Sequence, residues 1–288
     1  MDRHVRPQVL QRERLDFAST QRVPVRSVQA GEPSVRDDTV AVESPLEIRV
    51  AWQDSDGAGE PVSVTMRTPG HDAELAVGFL RGEGVLRTRR DVAWVREVGP
   101  DGNVVCVGLA TDRTIGAARV QRNFYATSSC GVCGKASLAA LENLFELSAV
   151  DAGLRVDATL LTSLDAKVRD AQRIYRETGG LHSASLFDAG GGLLAIFEDV
   201  GRHNALDKLV GSMLLDDRLP LAHSVLHLSG RASFELVQKA AAAGVPVVAA
   251  VGAPSSLAID LAERSGILLV GFLRGETFNV YAHPERLA

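Results

Sequence analysis

The sequence predicts an α/β protein, with a smaller β-rich part ahead of a mixed sheet that is flanked by helices. Short apolar segments alternate with amphipathic helical segments in the second half of the chain, as expected for strands covered by helices. In the first half, apolar and polar residues alternate with a period of two, which is typical of half-buried strands. The chain has 288 residues, of which 45% are hydrophobic. That is enough to bury a sizeable core.

The first part of the chain is expected to be a mobile N-terminal arm over residues 1–40 and a β-rich subdomain over residues 41–125. The arm is polar and has no sustained period, so it is assigned either no fixed structure or a loosely attached strand. The subdomain has period-two segments separated by turn-forming residues, and one helical segment that ends at glycines. The predicted elements are strands at Leu46–Trp52, Val62–Met66, Val92–Val98 and Val104–Leu109, a turn at Asp54–Gly57 and a helix at His71–Leu80.

The remaining residues, 126–288, are expected to form the main α/β domain, which opens with a cysteine loop. The loop is followed by a helix with Leu138, Leu141 and Phe145 on one face, and then by a longer helix at 157–176 that stops at Gly179. Beyond it strands and helices alternate, and Gly244, Gly266 and Ser255 occupy helix-capping positions. The predicted strands are Ser183–Phe187, Leu193–Phe197, Ser224–Leu228, Val247–Val251, Ile267–Phe272 and an edge strand Phe278–Tyr281, with helices near 203–215, 232–243 and 255–265.

Charge and composition exclude several classes of function. The formal net charge is -5, which argues against a dedicated nucleic-acid-binding protein. No apolar run approaches the roughly 20 residues that span a bilayer, and the N-terminus lacks the apolar segment of a secretory signal. Three cysteines are too few for a disulfide framework. We therefore expect a cytoplasmic protein that does not bind membranes.

Cys130 and Cys133 stand three residues apart in a glycine-containing loop before a helix. Such a pair can ligate a metal, cycle as a redox couple, pack as two small buried residues, or carry sulfur. A zinc site would need further ligands that the scattered histidines do not provide. A deaminase site would need a proline before Cys130 and an upstream His-x-Glu, but His283-Pro284-Glu285 comes after the cysteines. The helix dipole and Lys135 favour the thiolate, and thus a nucleophilic or sulfur-carrying cysteine.

Arginines stand at three predicted strand ends. Arg202 and Arg231 each precede a helix, and Arg274 precedes the last strand. Ligands of open α/β sheets bind at the carboxyl ends of the strands, and helix N-termini add backbone N–H groups for phosphate. These positions favour an anionic ligand that contains phosphate. No phosphate-binding loop of the ATPase or dinucleotide type is present.

Several motifs together resemble the FdhD family, the formate dehydrogenase accessory sulfurtransferases. They occur in the family's order from about residue 40 to the end of the chain. The most specific are the cysteine loop and the string Glu198–Lys208. The motifs are Val42–Leu46, Glu74–Leu80, Ser129–Gly134, Gly179–His182, Glu198–Lys208, Ser229–Arg231 and Phe278–Tyr281.

The resemblance implies a sulfurtransferase with a cytidine deaminase-like fold that lacks zinc. A cysteine desulfurase would donate sulfur as a persulfide on Cys130, with Cys133 as its partner. The sulfur would pass to the molybdenum bis(molybdopterin guanine dinucleotide) cofactor of formate dehydrogenase, bound by a homodimer. The segment matching the family's guanine-nucleotide contact comprises Phe272, Leu273, Arg274, Gly275, Glu276 and Thr277, and His182, Arg202, His203 and Arg231 are further candidates.

From the residues themselves, Phe272 can stack on a purine, Arg274 can pair with phosphate, and Glu276 can accept from the N–H groups of guanine. Two other classes of function stay open: a cofactor chaperone that transfers no sulfur, and a thiol redox or metal-binding module.

Overall fold

The computed structural model describes residues 18–53, 59–98, 101–110 and 153–288, and within them the chain forms three β-sheets and six α-helices. The strands are β1 Thr20–Gln29, β2 Glu32–Ala41, β3 Ser44–Trp52, β4 Glu60–Arg67, β5 Val92–Val98, β6 Val104–Leu109, β7 His182–Asp188, β8 Leu193–Asp199, β9 Ser224–Leu228, β10 Val247–Ala250, β11 Leu268–Arg274 and β12 Thr277–Ala282. The α-helices are α1 Asp72–Gly82, α2 Ala158–Ala171, α3 Arg173–Thr178, α4 Arg202–Leu215, α5 Phe234–Ala242 and α6 Ser256–Ser265.

Residues 20–41 form an antiparallel hairpin of β1 and β2. All but its last residue belong to the segment 1–40, for which the sequence predicts a mobile arm or a loosely attached strand. Ala30 and Gly31 make its turn with φ of 50° and 90°, the positive values that a tight hairpin turn of this kind requires. Neither strand has a fully buried side chain. Backbone pairing rather than a buried face therefore defines the hairpin, which explains why hydrophobic periodicity did not reveal it.

The four predicted strands of the β-rich part are confirmed and pair in the order β4-β3-β6-β5. β3 runs parallel to β6, and the other neighbours are antiparallel. The apolar face of this sheet packs on α1 through residues such as Ile48, Val107 and Leu75, which have no exposed surface or almost none. The predicted turn at Asp54–Gly57 lies outside the described residues.

The second half forms a six-stranded mixed sheet in the order β12-β11-β10-β9-β7-β8. β9, β10 and β11 are parallel, and β12 is an antiparallel edge strand as predicted. One face packs on α4, α5 and α6, and the other packs on α2. Gly244 and Gly266 follow helices with φ of 75° and 69°, and Ser255 caps α6 by accepting from the backbone N–H of Ala258. The three predicted caps are confirmed.

The single helix predicted at 157–176 is divided into α2 and α3, and the prediction of one continuous helix is wrong. Gln172 separates them with an extended backbone, and its buried side-chain amide donates to Ser183 Oγ at 3.1 Å. The Glu198 carboxylate accepts from the backbone N–H groups of Ile174 and Tyr175 at 3.0 and 2.8 Å, so it caps the first turn of α3. α3 ends at Gly179, as expected, with φ of 66°. The helix predicted after the cysteine loop lies outside the described residues.

α1 and α4 cross at backbone contact, which joins the two larger sheets. A Cβ atom added at Gly78 would lie 1.8 Å from the carbonyl oxygen of Asp207, and one at Gly211 would lie 1.8 Å from that of Glu74. Only glycine fits at either position. The crossing brings the end of β4 against the start of α4, beside the edge of the six-stranded sheet.

Candidate functional site

Most of the polar segments singled out in the second half of the chain meet at one edge of the six-stranded sheet. β8, β9, β10 and β11 end there, and the antiparallel strands β7 and β12 begin there. Backbone hydrogen bonds connect the loops: Ser229 N–H donates to Ser183 O, Gly252 N–H to Gly230 O, and Phe272 N–H to Gly252 O, at 2.9–3.2 Å. The loops therefore form a continuous, hydrogen-bonded rim.

A cleft of about 620 Å³ opens at this edge, on the α2 face of the sheet. That volume is within the range of pockets that hold small molecules and cofactors. Side chains from the sheet and from both neighbouring helices line it, among them Asp165, Gln172, Tyr175, His182, His227 and Arg274. Gly275 also lines it. The cleft thus contains both basic and acidic groups.

The predicted nucleotide segment, residues 272–277, is divided by a β-bulge between β11 and β12. Phe272 is 41% exposed and has φ of 55°, a strained value for a bulky residue. Leu273 is fully buried in the core beneath α2. Arg274 and Gly275 line the cleft, whereas Phe272 and Glu276 are exposed outside its lining.

The last residue of this segment, Thr277, donates to the carbonyl of Arg274 at 3.1 Å. It therefore closes the turn between β11 and β12. Of the six predicted side chains, only Arg274 projects into the cleft lining, where Gly275 contributes backbone alone.

His182 stands at the start of β7, with Nδ1 3.5 Å from Ser229 Oγ. Ser229 Oγ also accepts from the backbone N–H of Ser183 at 2.8 Å. Burial lowers the pKa of His182, and the positive charge of Arg202 lowers it further. His182 is therefore a neutral imidazole at neutral pH and acts as a hydrogen-bonding group rather than a cation.

Arg202 begins α4, directly after Gly201. Its Nε is buried and has no hydrogen-bond partner among the described residues. A Cβ added at Gly230 would lie within 3.8 Å of both the His182 ring and Arg202 Cδ, so the three residues are neighbours. A guanidinium at a helix N-terminus is suited to an anion.

Much of the string Glu198–Lys208 has a structural role. Lys208 Nζ lies 2.6 Å from Asp199 Oδ2, and both side chains are at most 1% exposed. Asp199 also accepts from the N–H of Thr68 and from the side-chain amide of Asn204, at 3.2 and 3.0 Å. This network connects β8 and α4 to the chain that follows β4.

Like Arg202, two other predicted site residues lie outside the cleft lining. His203 Nε2 is 3.0 Å from Glu235 Oε2 and 3.3 Å from Ser233 Oγ, so its ring is held against α5. Arg231 is exposed, and its backbone packs so closely on Gly252 that a Cβ there would lie 2.9 Å from Arg231 Cα. Cys130 and Cys133 lie outside the described residues.

Sequence reasoning missed His227 and Asp165, which both line the cleft. His227 is the fourth residue of β9, and Asp165 lies on α2. Burial lowers the pKa of His227 from 6.5 to about 4. The one signal that could have revealed His227 is its position inside an apolar strand, where a histidine has to be accounted for.

In residues 18–53, 59–98, 101–110 and 153–288, no group of three or more His, Cys, Asp or Glu side chains is placed to hold a metal ion. None of the helices in those ranges is both long and apolar enough to cross a membrane.

Comparisons with known proteins give a consistent result. A model of the FdhD/NarQ family matches residues 41–288. A protein named sulfur carrier protein FdhD from Mycolicibacterium paratuberculosis is 49% identical over 275 residues, which cover 93% of this chain and 98% of that protein. The one from Streptomyces coelicolor is 50% identical over 277 residues, 93% of this chain and 96% of that protein.

A more distant relative of the same name, from Sulfurisphaera tokodaii, is 41% identical over 266 residues, which cover 92% of this chain and 98% of that protein. A crystal structure described as a formate dehydrogenase accessory protein from Desulfotalea psychrophila matches with a TM-score of 0.73 at 24% identity, over 94% of this chain and all of that one. This structural match shows a shared fold. The match to the family model and the identity to these relatives show that the chain belongs to the FdhD/NarQ family.

Proposed function

We propose that this protein is a sulfurtransferase that carries sulfur as a persulfide on Cys130. A cysteine desulfurase donates the sulfur, and Cys133 assists its loading or its onward transfer. The acceptor is the molybdenum bis(molybdopterin guanine dinucleotide) cofactor, which is thereby made competent for formate dehydrogenase. The observation that carries the proposal is the set of relatives named sulfur carriers, at 41–50% identity over nine-tenths of the chain.

The chemistry of the cysteine pair supports a carrier role. A thiolate attacks the terminal sulfur of the donor persulfide, forms a new persulfide and releases the donor as a thiolate. The transfer therefore needs no external oxidant or reductant. The sequence predicts that the pair precedes a helix and stands close to Lys135, and both features would favour the thiolate form. The described cysteine differs, since burial raises the pKa of the Cys106 thiol and the side chain has no exposed surface.

The cleft supports the second half of the proposal, the binding of a guanine nucleotide end of the cofactor. Arg274 lines the cleft, and Arg202 is close to His182 on the same rim. Guanidinium groups and the start of α4 suit phosphate. In the proposed homodimer, one such cleft in each protomer would take one of the two nucleotide ends. Arg231 and His203, which lie outside the cleft lining, are further candidates for contacts with the same ligand.

Mass spectrometry tests the sulfur-carrying step. Wild-type protein incubated with a cysteine desulfurase and cysteine should gain the mass of one sulfur atom on the peptide containing Cys130. Cys130→Ala should not gain it and should fail to activate formate dehydrogenase. Cys106→Ala is the matched control, because a buried thiol is not accessible to the donor, and it should load normally. Full activation by Cys130→Ala would refute the carrier assignment.

Cys133→Ala separates two roles of the second thiol. If Cys133 only assists, some persulfide should remain on Cys130 and activation should fall in parallel with loading. If sulfur passes through both thiols, loading should survive while activation is lost. Full loading with full activation would show that the two cysteines do not work as a pair.

Calorimetric titration tests the nucleotide step. Wild-type protein should bind GDP more tightly than ADP, and Arg274→Ala should weaken GDP binding because a phosphate contact is lost. Equal affinities for the two nucleotides, or unchanged GDP affinity in the variant, would remove Arg274 from the site. A protein that binds GDP but never acquires a persulfide would instead be a cofactor chaperone, and metal analysis would identify a metal-binding module.

A further inference from the structure

His227 is a buried polar side chain whose hydrogen-bonding groups are not used within the described part of the chain. It has no exposed surface, and neither ring nitrogen has a hydrogen-bond partner among the described residues. Ser185, its register partner on β7, is likewise buried with an unpartnered hydroxyl. Buried polar groups are nearly always paired, so an imidazole that lines a cleft and has no partner among the described residues is available to a ligand in that cleft.

Asp165 is the acidic group nearest to this ring. Its Oδ1 lies 4.0 Å from His227 Nε2, and its Oδ2 lies 3.3 Å from Arg169 Nη2. The Asp165 side chain is 16% exposed, whereas the Arg169 side chain is 64% exposed. A carboxylate has about four acceptor positions, so one exposed arginine leaves most of its capacity available to a ligand.

The sequence assigns the reading of the guanine base to Glu276, but that carboxylate is exposed and lies outside the cleft lining. Asp165 is the carboxylate that lines the cleft together with Arg274. We propose that Asp165 and His227 are the specificity-determining residues of the cleft, reading the edge of a heterocyclic base whose phosphates face Arg274. This inference rests on the proposed binding of a guanine nucleotide.

The chemistry of the pair selects a particular kind of base. A carboxylate accepts from two adjacent N–H groups, such as the ring N–H and the exocyclic amine of guanine, and it repels the ring acceptor that adenine presents there. Neutral imidazole offers one donor and one acceptor, so His227 can complete the pairing without adding charge. Burial keeps the ring neutral, since it lowers the pKa of His227 to about 4.

The test compares GDP with IDP, which lacks only the exocyclic amine, by calorimetry on the full chain. Wild-type protein should bind GDP about tenfold more tightly than IDP, the effect of losing one hydrogen bond to a charged acceptor. Asp165→Asn should weaken GDP binding and reduce that preference, because the amide can accept from only one of the two N–H groups and opposes the other with its own N–H group. Glu276→Gln is the matched control and should keep it. His227→Leu should weaken the binding of both nucleotides. His227→Gln keeps a donor and an acceptor and should therefore bind them more tightly than His227→Leu.

Thermal melts of each variant check that a loss of binding does not reflect unfolding. If Asp165→Asn keeps the preference for GDP and Glu276→Gln loses it, the inference is wrong while nucleotide binding stands. If wild-type protein does not prefer GDP to ADP, the proposed ligand fails and the inference fails with it. The persulfide measurement is independent of either result.

Discussion

Two groups of buried polar side chains, one on each face of the six-stranded sheet, differ in their hydrogen bonding. On the face covered by α4, Asp199 and Lys208 form a buried ion pair, and Asn204 donates to both Asp199 and the carbonyl of Met66. On the face covered by α2, His227 and Ser185 are as deeply buried, yet their side chains have no hydrogen-bond partner within the described ranges.

This difference separates structural polar groups from candidate ligand-binding groups. A buried network in which every member is paired holds neighbouring elements in place, here β8, α4 and the chain after β4. An unpaired buried group costs free energy and persists where something other than stability maintains it. The elements joined by the Asp199 network should therefore be sensitive to loss of charge or added volume, whereas the lining of the cleft should tolerate both.

The largest effect is expected from Lys208→Met, which leaves the carboxylate of Asp199 buried without its cation. Removing one partner of a buried ion pair typically lowers the free energy of unfolding by about 3–5 kcal/mol. Denaturant unfolding at neutral pH would measure the loss. The double variant Asp199→Asn with Lys208→Met should recover part of it, because the uncompensated charge is gone. A loss below about 1 kcal/mol in the single variant would show that the pair does not hold the two elements together.

The second effect is a pH dependence from the α2 face. The pKa of His227 is lowered from 6.5 to about 4 in the folded protein, so between these pH values the unfolded chain binds a proton that the folded chain does not. Stability contributed by the neutral ring is complete above pH 6.5 and is lost as pH falls through 4. The difference corresponds to about 3 kcal/mol.

His227→Leu removes this titration, so its unfolding free energy should fall less than that of wild type between pH 7 and pH 4. At pH 7 the variant should be as stable as wild type or more so, because no hydrogen bond is lost within the described structure. If the unfolding free energies of wild type and His227→Leu changed equally with pH, the assignment of a neutral, unpaired His227 ring would be wrong.

The third effect comes from adding a methyl group at two glycines, one at the α1–α4 contact and one at the cleft. In Gly78→Ala the new Cβ would lie 1.8 Å from the Asp207 carbonyl oxygen, so α1 and α4 have to separate, at a cost of about 1–3 kcal/mol or more. In Gly180→Ala, at the cleft, the nearest atoms are 3.9 Å away, and the change should stay within about 0.5 kcal/mol. Equal melting temperatures for the two variants would contradict the close α1–α4 contact.

Features of the fold could be predicted from the sequence where the pattern that determines them lies within a few neighbouring residues. The strands of both larger sheets, the caps at Gly244 and Gly266 and the edge position of β12 follow from periodicity and capping, which act within a few residues. The hairpin of β1 and β2 was not predicted, because pairing without a buried face leaves no hydrophobic period.

The site was harder to predict, because its residues meet only in the folded chain. Asp165 and His227 are distant in sequence and neither belongs to a motif, so no spacing revealed them. Leu273 and Glu276 belong to the expected nucleotide segment, but the β-bulge follows Gly271. The Leu273 side chain is buried in the core, and Glu276 is exposed. Lys208 was singled out only as the end of the motif Glu198–Lys208, and its partner is the buried carboxylate of Asp199.

The smallest effect is expected from Arg169→Met, which removes the ion pair that Asp165 forms one helical turn away at 3.3 Å. Because the arginine is 64% exposed, solvent screens the pair, and pairs of this spacing contribute about 0.3–0.5 kcal/mol. Thermal unfolding at low and high salt should show a difference of that size which shrinks as salt is added. A salt-independent loss above about 1 kcal/mol would mean that Asp165 is committed to holding α2 together. Its carboxylate would then be structural, like Asp199, and the contrast between the two faces would not extend to the cleft.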